Sequence, residues 1–528
     1  MSGRSIRLAF VVLCSGVLLA GLPAAAAARP SLPTHGSVDP YLSQHAAAAS
    51  GAVPVLIHTV DRARAAKAVT ARGGRVFGKL DLGNSVVAEV PADQLERLAA
   101  EPGIVRIAYD PPLQIQADPL DSWSTRLKNV YPQAIGAPSV WSGSARLRGS
   151  GVGVAVLDSG INAAHPDFRG IAPNGDIGVP RLLQSVNAIE GASTTRDDNG
   201  HGTFVAGIIG GRGWGGAGTA DDGRYIGIAP DVNLLSVKVS DRNGTAHVSS
   251  VVEAIEWVLT HRDQYNIRVL NLSLASNVAD SYATSVLDAA VELAWYSGIV
   301  VVVAGGNGGA SGAPITAPAN DPFVITVGAT DDFGTASTAD DRLASFSSFG
   351  PTRDGFSKPD LVAPGRHIVS TLSSRLDPLA RRFPTKVIDD RYIQLSGTSA
   401  SAPIVAGAVA QLLQARPWLK PGQVKWLLQN TARPVAGAGT GAGYPRIDAA
   451  VWFSGPVGNT DTGLKPNELL RVAMSALAGR LSDSVAWDTV AWDTVAWDTV
   501  AWDTVAWDTV AWDTVAWDTV ARDTVAGD

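Results

Sequence analysis

The fold is decided by a stretch at residues 152–160, which reads Val-Gly-Val-Ala-Val-Leu-Asp-Ser-Gly. The part from Val152 to Leu157 has no polar interruption and leads to an acid and a Ser-Gly turn. A strand without polar alternation is typical of a parallel sheet that is covered on both faces. Three further runs of this character predict parallel strands at Leu234–Val239, Val269–Leu274 and Ile299–Ala304.

Helical patterns lie between these runs. Ser250-Val-Val-Glu253 has the spacing of a capping box and predicts a helix that starts there and continues through Thr260. A second helix is predicted over Ser281–Ser297, ended by Gly298. Strands that alternate with helices predict an α/β domain with a doubly wound, mainly parallel sheet.

Three short motifs in this domain carry the residue types of nucleophilic catalysis. The first is Asp158 at the end of the opening strand. The second is Asp198-Asn-Gly-His201-Gly-Thr203, a histidine where a turn opens the apolar helix Phe204–Ile209. The third is Ser396-Gly-Thr-Ser399, a serine at the start of a helix that runs to Gln414.

The chemistry of these residue types connects the motifs. A serine hydroxyl is a weak nucleophile and needs an adjacent base with a pKa near neutrality, which histidine supplies. A buried carboxylate keeps the imidazole in one tautomer and stabilises it once it is protonated. A serine at a helix N-terminus also has backbone N–H groups beside it that can stabilise an oxyanion. We therefore predict that Asp158, His201 and Ser399 form a catalytic triad.

Each motif alone has an ordinary structural explanation. Asp158 can be a turn residue, Ser399 a helix cap and His201 a satisfied polar side chain. Together, however, they follow the chain order Asp, His, Ser that subtilisin uses. An esterase of the α/β-hydrolase kind needs a Gly-x-Ser-x-Gly elbow and the order Ser, acid, His, and this chain has neither. A catalytically idle surface-binding protein on the same fold is the alternative, and the complete set of reactive residues argues against it.

Residues 130–455 resemble the subtilisin-like serine peptidase family through these motifs. The resemblance implies an endopeptidase that cuts proteins or peptides through an acyl-enzyme and needs no cofactor for catalysis. It also implies that Asn307, in Val301-Val-Val-Ala-Gly-Gly-Asn307-Gly, supplies the side chain of the oxyanion hole. We place the peptidase domain at residues 120–455.

The resemblance also assigns the substrate-binding segments. Substrate backbone pairs in this family with two edge segments, which here match Gly244-Thr245-Ala246 and Ser273-Leu274-Ala275. The matching primary pocket is lined by Ala304, Gly306 and Ala275. These small, uncharged walls predict broad specificity, with apolar or aromatic side chains before the cut bond. Ala275 and Ser276 replace two glycines that are usual in the family, which narrows the predicted cleft.

One further segment bears on metal binding. His165-Pro-Asp167-Phe matches a segment whose acid often binds structural calcium, so the resemblance makes Asp167 a candidate calcium ligand. The companion calcium loop is not recognisable in the Gly-rich stretch 210–223, where Asp221 and Asp222 are the available carboxylates.

The family commonly has methionine after its catalytic serine, whereas this chain has Ala400.

The N-terminus predicts a signal peptide over residues 1–28, and hence a secreted protein. Arg4 and Arg7 precede an apolar run from Leu8 to Leu22, and a series of alanines follows. The run is short for a membrane anchor. The only cysteine, Cys14, lies inside this segment, so the predicted mature protein depends on packing or bound ions instead of disulfides.

After an Ala/Pro-rich linker at 29–50, residues 51–115 predict a small ferredoxin-like α+β unit of order βαββαβ. Its predicted elements are strand Val53–Val60, helix Arg62–Arg72, strands Arg75–Leu80 and Ser85–Val90, helix Ala92–Ala100 and strand Val105–Tyr109. The family resemblance implies a propeptide that assists folding and transiently inhibits its own enzyme. We expect the chain to cut itself between Pro111 and Arg126.

The C-terminal end consists of a predicted linker at 456–484 and a Val-Ala-Trp-Asp-Thr repeat at 485–528. The repeat holds nine Asp and one Arg, so removing it changes 42 basic and 49 acidic residues to 41 and 40, a net charge of +1. This neutral body gives no indication of a nucleic-acid or acidic-substrate binder, and we expect no nucleic-acid partner. A period of five suits neither a strand face nor a helix stripe. The tail is therefore either a small solenoid or a disordered spacer whose Trp side chains contact the cell surface.

Overall fold

A computed structural model describes residues 36–40, 42, 51–110, 112–115, 129–141, 146–171, 177–216, 223–309 and 314–470. The predicted signal peptide, the repeat tail, and Asp221 and Asp222 lie outside these residues. Within the described ranges, no helix combines the length and apolar character needed to cross a membrane.

The N-terminal unit is built on a five-stranded sheet with the order β1-β5-β2-β4-β3. Its elements are β1 (Ser37–Val38), β2 (Ala52–Thr59), α1 (Arg62–Ala71), β3 (Arg75–Leu80), β4 (Ser85–Pro91), α2 (Leu95–Ala99) and β5 (Ile104–Tyr109). From β2 to β5 the elements follow the predicted order. Two details differ from the prediction. Strand β1 lies in the stretch predicted as a linker, where it pairs in parallel with β5, and a 3-10 turn (Ala92–Gln94) replaces the start of the second helix.

The two faces of this small sheet have different partners. Successive side chains of a strand point to opposite faces. In β2, Val55 and Ile57 pack with Val69 of α1 in the core of the unit. Leu56, between them, belongs to the core of the larger domain, as does Ala108 of β5. The N-terminal unit therefore lies with one apolar face directly on the catalytic domain.

The larger domain contains an eight-stranded sheet with the order β10-β11-β7-β13-β15-β16-β17, and β20 also pairs with β16. The strands are β7 (Gly153–Asp158), β10 (Leu182–Asn187), β11 (Asn233–Lys238), β13 (Ile267–Leu272), β15 (Val300–Ala304), β16 (Ile325–Asp331), β17 (Arg342–Leu343) and β20 (Leu361–Pro364). All pairs are parallel except β16 with β17. The strand order changes direction beside β7, so the sheet is doubly wound, and the predicted α/β fold class is confirmed.

Two pairs of helices pack against this sheet. Helices α5 (His201–Gly210) and α9 (Thr398–Ala415) contact each other, and so do α6 (Val248–His261) and α7 (Val286–Tyr296). The remaining helices are α3 (Tyr131–Ala134), α4 (Ala137–Trp141), α8 (Pro378–Arg382), α10 (Pro421–Asn430) and α11 (Ile447–Val451). The remaining strands are β6 (Pro112–Ile115), β8 (Arg169–Ile171), β9 (Ile177–Pro180), β12 (Thr245–His247), β14 (Leu274–Ser276), β18 (Gly350–Pro351), β19 (Ser357–Lys358), β21 (Ile368–Thr371), β22 (Val387–Ile388) and β23 (Tyr392–Leu395).

Two helix starts differ from the sequence prediction. Helix α6 begins at Val248, with His247 in the N-cap position, so the Ser250–Glu253 spacing does not mark its start. Its first-turn residue Ser249 is bonded instead to Asp110 of the N-terminal unit. Helix α7 begins at Val286, because Ser285 caps it by accepting a hydrogen bond from the Asp288 N–H.

The predicted strand Val269–Leu274 is divided. Strand β13 ends at Leu272 within the main sheet, and β14 starts at Leu274 in a separate three-stranded sheet with the order β12-β6-β14. Ser273 lies at the break between them. The chain thus leaves the main sheet where the second predicted substrate-binding segment begins.

The first part of the predicted C-terminal linker is packed against α7. The N–H of Asn467 donates to Glu292 Oε2 (2.8 Å), and the indole N–H of Trp295 donates to the carboxylate of Asp461 (3.1 and 3.2 Å). Leu470 is fully buried. Residues 456–470 therefore belong to the folded domain, contrary to the predicted boundary at 455.

Candidate active site

Asp158 is the last residue of β7 and is buried, 2% exposed. The neighbouring strands continue beside it, since Lys238 of β11 is its partner in register. The backbone N–H of Ser159 donates to Asp158 Oδ1 (2.8 Å). The end of a central strand thus presents this carboxylate at the carboxyl edge of the sheet, where α/β proteins place their sites.

His201 is the first residue of α5 and is fully buried. Its Nδ1 lies 2.8 Å from Asp158 Oδ1 and 2.9 Å from Oδ2. A carboxylate only accepts hydrogen bonds, so Nδ1 carries the proton and Nε2 carries the lone pair. Within the described ranges Nε2 has no hydrogen-bond partner. The arrangement therefore holds the imidazole in the tautomer that a general base requires, with Nε2 open.

Ser399 lies in the first turn of α9, and two contacts show the direction of this helix. Near its start, the Ser401 hydroxyl donates to the Ala363 carbonyl of β20 (3.0 Å). Near its end, Gln414 accepts from the N–H of Gly149 (2.7 Å), just before β7 begins. The helix therefore starts at the carboxyl edge of the sheet. Helix α5 also starts there, because it connects the parallel strands β10 and β11.

The two helices meet eight residues after their reactive side chains. A Cβ added at Gly407 of α9 would lie 3.3 Å from the carbonyl oxygen of Ile209 in α5. Ile209 is eight residues after His201, and Gly407 is eight residues after Ser399. Because both helices run in the same direction, the equal offset brings His201 and Ser399 to the same end of the pair.

Asn307 follows β15, and its contacts with α9 fix the orientation of its side-chain amide. Its Oδ1 accepts hydrogen bonds from the backbone N–H of Thr398 (2.9 Å) and from the Thr398 hydroxyl (3.0 Å). These donors identify the oxygen side of the amide. The buried Nδ2 has no partner in the part of the chain that the structure describes. A free amide donor next to the residue before Ser399 is suited to stabilise a developing oxyanion.

The predicted substrate-binding segments lie on either side of β6. Strand β6 is antiparallel to both β12 and β14. Its residue Gln114 is the partner of Thr245 on one side and of Ala275 on the other. The two edge segments thus pair with a stretch of their own chain, in the manner expected for a bound peptide.

Ser273 connects this sheet to Ser399. Its hydroxyl donates to the backbone carbonyl of Ser399 (3.3 Å) and accepts from Asn271 Nδ2 (3.0 Å).

Gly244 lies in the turn before β12, where its φ of 81° favours glycine. Ala275 of β14 and Ala304 at the end of β15 are on contacting strands, and Gly306 follows two residues later. The pocket assigned to these last three residues stays a prediction.

The contacts of Asp167 do not fit a calcium ligand. Its two oxygens accept the backbone N–H groups of Gly213 (3.0 Å) and Gly215 (2.5 Å), and the Tyr392 hydroxyl also donates to the carboxylate (3.2 Å). Calcium needs oxygens that face the ion without intervening donors. No cluster of three or more His, Cys, Asp or Glu suited to a metal occurs among the described residues. Asp167 instead organises the turn that follows α5.

One buried acid beside the site was missed at the sequence level. Asp197 is fully buried and accepts hydrogen bonds from Ser159, next to Asp158, and from Thr203, in the first turn of α5. It directly precedes the motif Asp198–Thr203 from which His201 was identified. An acid adjoining a histidine motif was the available signal, but the sequence does not indicate which donors it meets.

Comparison with known proteins agrees with this geometry. The sequence profile described as the Subtilase family matches residues 149–453. Serine protease AprX of Bacillus subtilis (strain 168) is 36% identical over 354 residues, which are 66% of this chain and 74% of that protein. Subtilisin DY of Bacillus licheniformis is 33% identical over 54% of this chain and 85% of its own length.

A solved structure shows the same relationship. Fervidolysin from Fervidobacterium pennivorans, described as a keratinolytic enzyme related to subtilisin, aligns with a TM-score of 0.55 and 26% identity. The alignment covers 78% of this chain and 62% of that one. Since the family profile covers more than half of the chain, and AprX is similar over most of its own length, this protein belongs to the subtilase family of serine-type endopeptidases.

Proposed function

We propose that this protein is a secreted endopeptidase, made as a self-inhibited precursor, that cuts proteins through an acyl-enzyme on Ser399. Asp158 and His201 complete the triad, and Asn307 serves the oxyanion hole. One observation carries the proposal. His201 is bound to Asp158 through Nδ1, while two reactive groups, His201 Nε2 and Asn307 Nδ2, have no partner among the described residues.

The reaction follows from these roles. Ser399 Oγ attacks the carbonyl carbon of the scissile peptide bond, and His201 Nε2 takes the hydroxyl proton. Asp158 stabilises the resulting imidazolium through Nδ1. The negative charge on the former carbonyl oxygen is stabilised by Asn307 Nδ2 and by backbone N–H groups at the start of α9. His201 then gives its proton to the leaving amine, and water attacks the acyl-enzyme by the same sequence of proton transfers.

The propeptide role of residues 51–115 is supported by the position of β6 and by a helix cap. The Asp110 carboxylate accepts the backbone N–H (3.0 Å) and the hydroxyl (2.8 Å) of Ser249 in the first turn of α6. A carboxylate at that end of a helix satisfies free N–H groups and complements the helix dipole. In the proposal, this cap and the shared apolar face hold β6 in the substrate cleft until it is removed.

The register of β6 indicates where the precursor is cut. The described pairs include Ala275 with Gln114 and Leu274 with Ile115. The residue before Leu274 is Ser273, whose hydroxyl reaches the Ser399 carbonyl. We therefore expect the precursor to be cut in the stretch that follows β6, between Pro111 and Arg126, as expected from the sequence.

The finer assignments belong to the same proposal. The small pocket residues Ala275, Ala304 and Gly306 favour apolar or aromatic side chains before the cut bond. Secretion is proposed from the signal-peptide pattern of residues 1–28, and a surface-contact or spacer role from the repeats at 485–528.

Mass spectrometry of the secreted wild-type and Ser399→Ala proteins tests the proposal. The wild-type enzyme should lose its N-terminal part by a cut between Pro111 and Arg126, and the variant should be recovered with residues 51–115 still attached. The expression host has to lack other extracellular proteases. A Ser399→Ala protein trimmed at the same bond would show that maturation does not depend on Ser399.

A further inference from the structure

We propose that Asp197 is a positioning residue for catalysis, which holds the turn that carries His201 against the strand end that carries Asp158. The inference rests on the proposed triad. The Asp197 carboxylate accepts hydrogen bonds from Ser159, Asn199, Gly200 and Thr203, so its proposed effect on His201 passes through the backbone of α5.

The starting observation is that α5 has no cap of its own. Its N-cap residue is Gly200, which has a φ of 106° and no side chain that could accept a hydrogen bond. The first N–H groups of a helix have no partner within the helix. In α5 those of His201, Gly202 and Thr203 are satisfied by three side chains from outside the helix. The acceptors are Asn199 Oδ1 (3.3 Å), Ser159 Oγ (2.9 Å) and Asp197 Oδ2 (2.9 Å), respectively.

Asp197 has the largest share of these contacts. Its Oδ1 accepts the Ser159 hydroxyl (2.9 Å) and the backbone N–H groups of Asn199 (3.2 Å) and Gly200 (2.7 Å). Its Oδ2 accepts both the N–H and the hydroxyl of Thr203. Burial raises the pKa of the Asp197 carboxyl, and the hydrogen bonds from Thr203, Gly200 and Ser159 oppose the rise. Backbone N–H groups only donate, so the carboxylate form is the one that satisfies this set.

Ser159 joins this network to Asp158. It follows Asp158 directly, donates its hydroxyl to Asp197 and accepts the N–H of Gly202. A continuous path of hydrogen bonds therefore connects the strand end that holds the triad acid to the helix turn that holds the triad base.

Close packing leaves this junction little freedom to adjust. A Cβ added at Gly202 would lie 2.2 Å from the carbonyl oxygen of Gly160, and one added at Gly160 would lie 2.8 Å from the N–H nitrogen of Asp197. A shift of the turn on one side therefore moves the other side as well. Misplacing a catalytic group by about 1 Å can cost about 10²-fold in rate.

Replacing Asp197 by Asn tests the role. The amide NH₂ would face donors where the carboxylate oxygen accepted them, so the first turn of α5 should move. We expect kcat to fall about 10²-fold, with little change in KM. The matched control is Asp167→Asn. Asp167 is equally buried and also accepts two backbone N–H groups, but it serves a turn at the other end of α5. This control should lose stability while keeping the kcat of the folded enzyme.

Each variant should be matured by wild-type enzyme fixed to a resin, so that slow self-processing does not affect the comparison. Rates are then measured with a chromogenic peptide and divided by the folded concentration. If Asp197→Asn and Asp167→Asn lose the same fraction of kcat, Asp197 has only a structural role and the inference is wrong.

Repeating the Asp197→Asn substitution in a His201→Ala protein shows whether Asp197 acts through His201. In a His201→Ala protein, Asp197→Asn should lower the residual rate less than twofold, because groups that act as a unit are not additive. An equal loss in both backgrounds would overturn the inference. If Asp197→Asn does not fold, Ser159→Ala removes the connecting hydroxyl alone and should lower kcat about tenfold in the His201 enzyme only. No loss of kcat in Ser159→Ala would then overturn it.

The proposed triad is checked separately. An inactive Ser399→Ala protein together with a fully active Asp197→Asn protein would reject the positioning role and leave the triad in place. An active Ser399→Ala protein would reject the triad itself.

Discussion

Two helices present the reactive residues, and they begin in similar ways but are held differently. Both follow a glycine N-cap without a capping side chain, Gly200 before α5 and Gly397 before α9. The start of α5 is bonded to three side chains that take no part in the proposed chemistry. The start of α9 is bonded to Oδ1 of Asn307, whose Nδ2 is the proposed oxyanion donor. His201 is thus fixed by contacts from outside the proposed reaction, whereas the helix of Ser399 is held by a residue with two proposed roles.

The largest expected effect is at the nucleophile itself. Ser399→Ala should lower kcat by about 10⁶-fold, which is the size of the loss in subtilisin of the same family. The fold should change little, because the substitution removes a single hydroxyl from the first turn of α9. Hydrolysis of casein by the purified variant measures this, after resin-bound wild-type enzyme has removed its N-terminal part. Substantial activity would contradict the triad assignment.

Asn307→Ala is next in size and tests the double role of this residue. Loss of an oxyanion donor should reduce kcat by about 10²–10³-fold with little effect on KM, again a magnitude taken from subtilisin. Thr398→Val is the matched comparison, since it removes the hydroxyl that donates to Asn307 Oδ1 and accepts the Gly306 N–H, and leaves the amide in place. Steady-state kinetics of the two variants would separate the roles. Equal losses would mean that Asn307 mainly anchors α9.

A smaller effect is expected from oxidation beside the nucleophile. Ala400 is buried next to Ser399, and a sulfur-free side chain there cannot form a sulfoxide. The mature enzyme should keep most of its activity in peroxide that inactivates a relative with methionine at this position. Ala400→Met should become sensitive if the larger side chain is accommodated, which its activity before treatment shows. Equal and rapid loss in both proteins would place the damage elsewhere.

The smallest effect is expected at the other helix. Asn199→Ala removes the acceptor of the His201 N–H, one of the three external contacts of α5. Loss of a helix cap costs about 1 kcal/mol of unfolding free energy. The kcat should change less than threefold, because Asp197 and Ser159 still hold the turn. Chemical denaturation and kinetics on the same sample measure both quantities. A large fall in kcat at unchanged stability would mean that this contact orients His201 directly.

The sequence predicts those parts of the molecule whose signal is local. The parallel strands follow from apolar runs, and the proposed reactive residues from short Gly-containing motifs at strand ends and helix starts. Asp158 and His201 are 43 residues apart, yet their motifs, in the order Asp, His, Ser, indicated the contact that the structure contains.

The missed features depend on partners that are distant in sequence. Asp110 caps α6 at Ser249 across 139 residues, and Asn467 reaches Glu292 across 175. The predicted strand is also interrupted at Ser273, because β14 pairs with β6 outside the main sheet. Apolar periodicity shows which face of an element is buried, but it does not show which donor meets which acceptor.

The packed segment 456–470 changes where this enzyme can be shortened. Burial and the neighbouring Asp321 raise the pKa of Glu292 well above its ordinary value, and the Asn467 N–H of this segment donates to its Oε2. A truncation placed at the end of the family match, residue 453, would expose Glu292 to water and remove the acceptor of the Trp295 indole. Exposure to water would then lower the pKa of this carboxyl toward its ordinary value. Ending the protein after Leu470 removes the whole repeat tail and keeps the contacts of Asn467 with Glu292 and of Asp461 with Trp295.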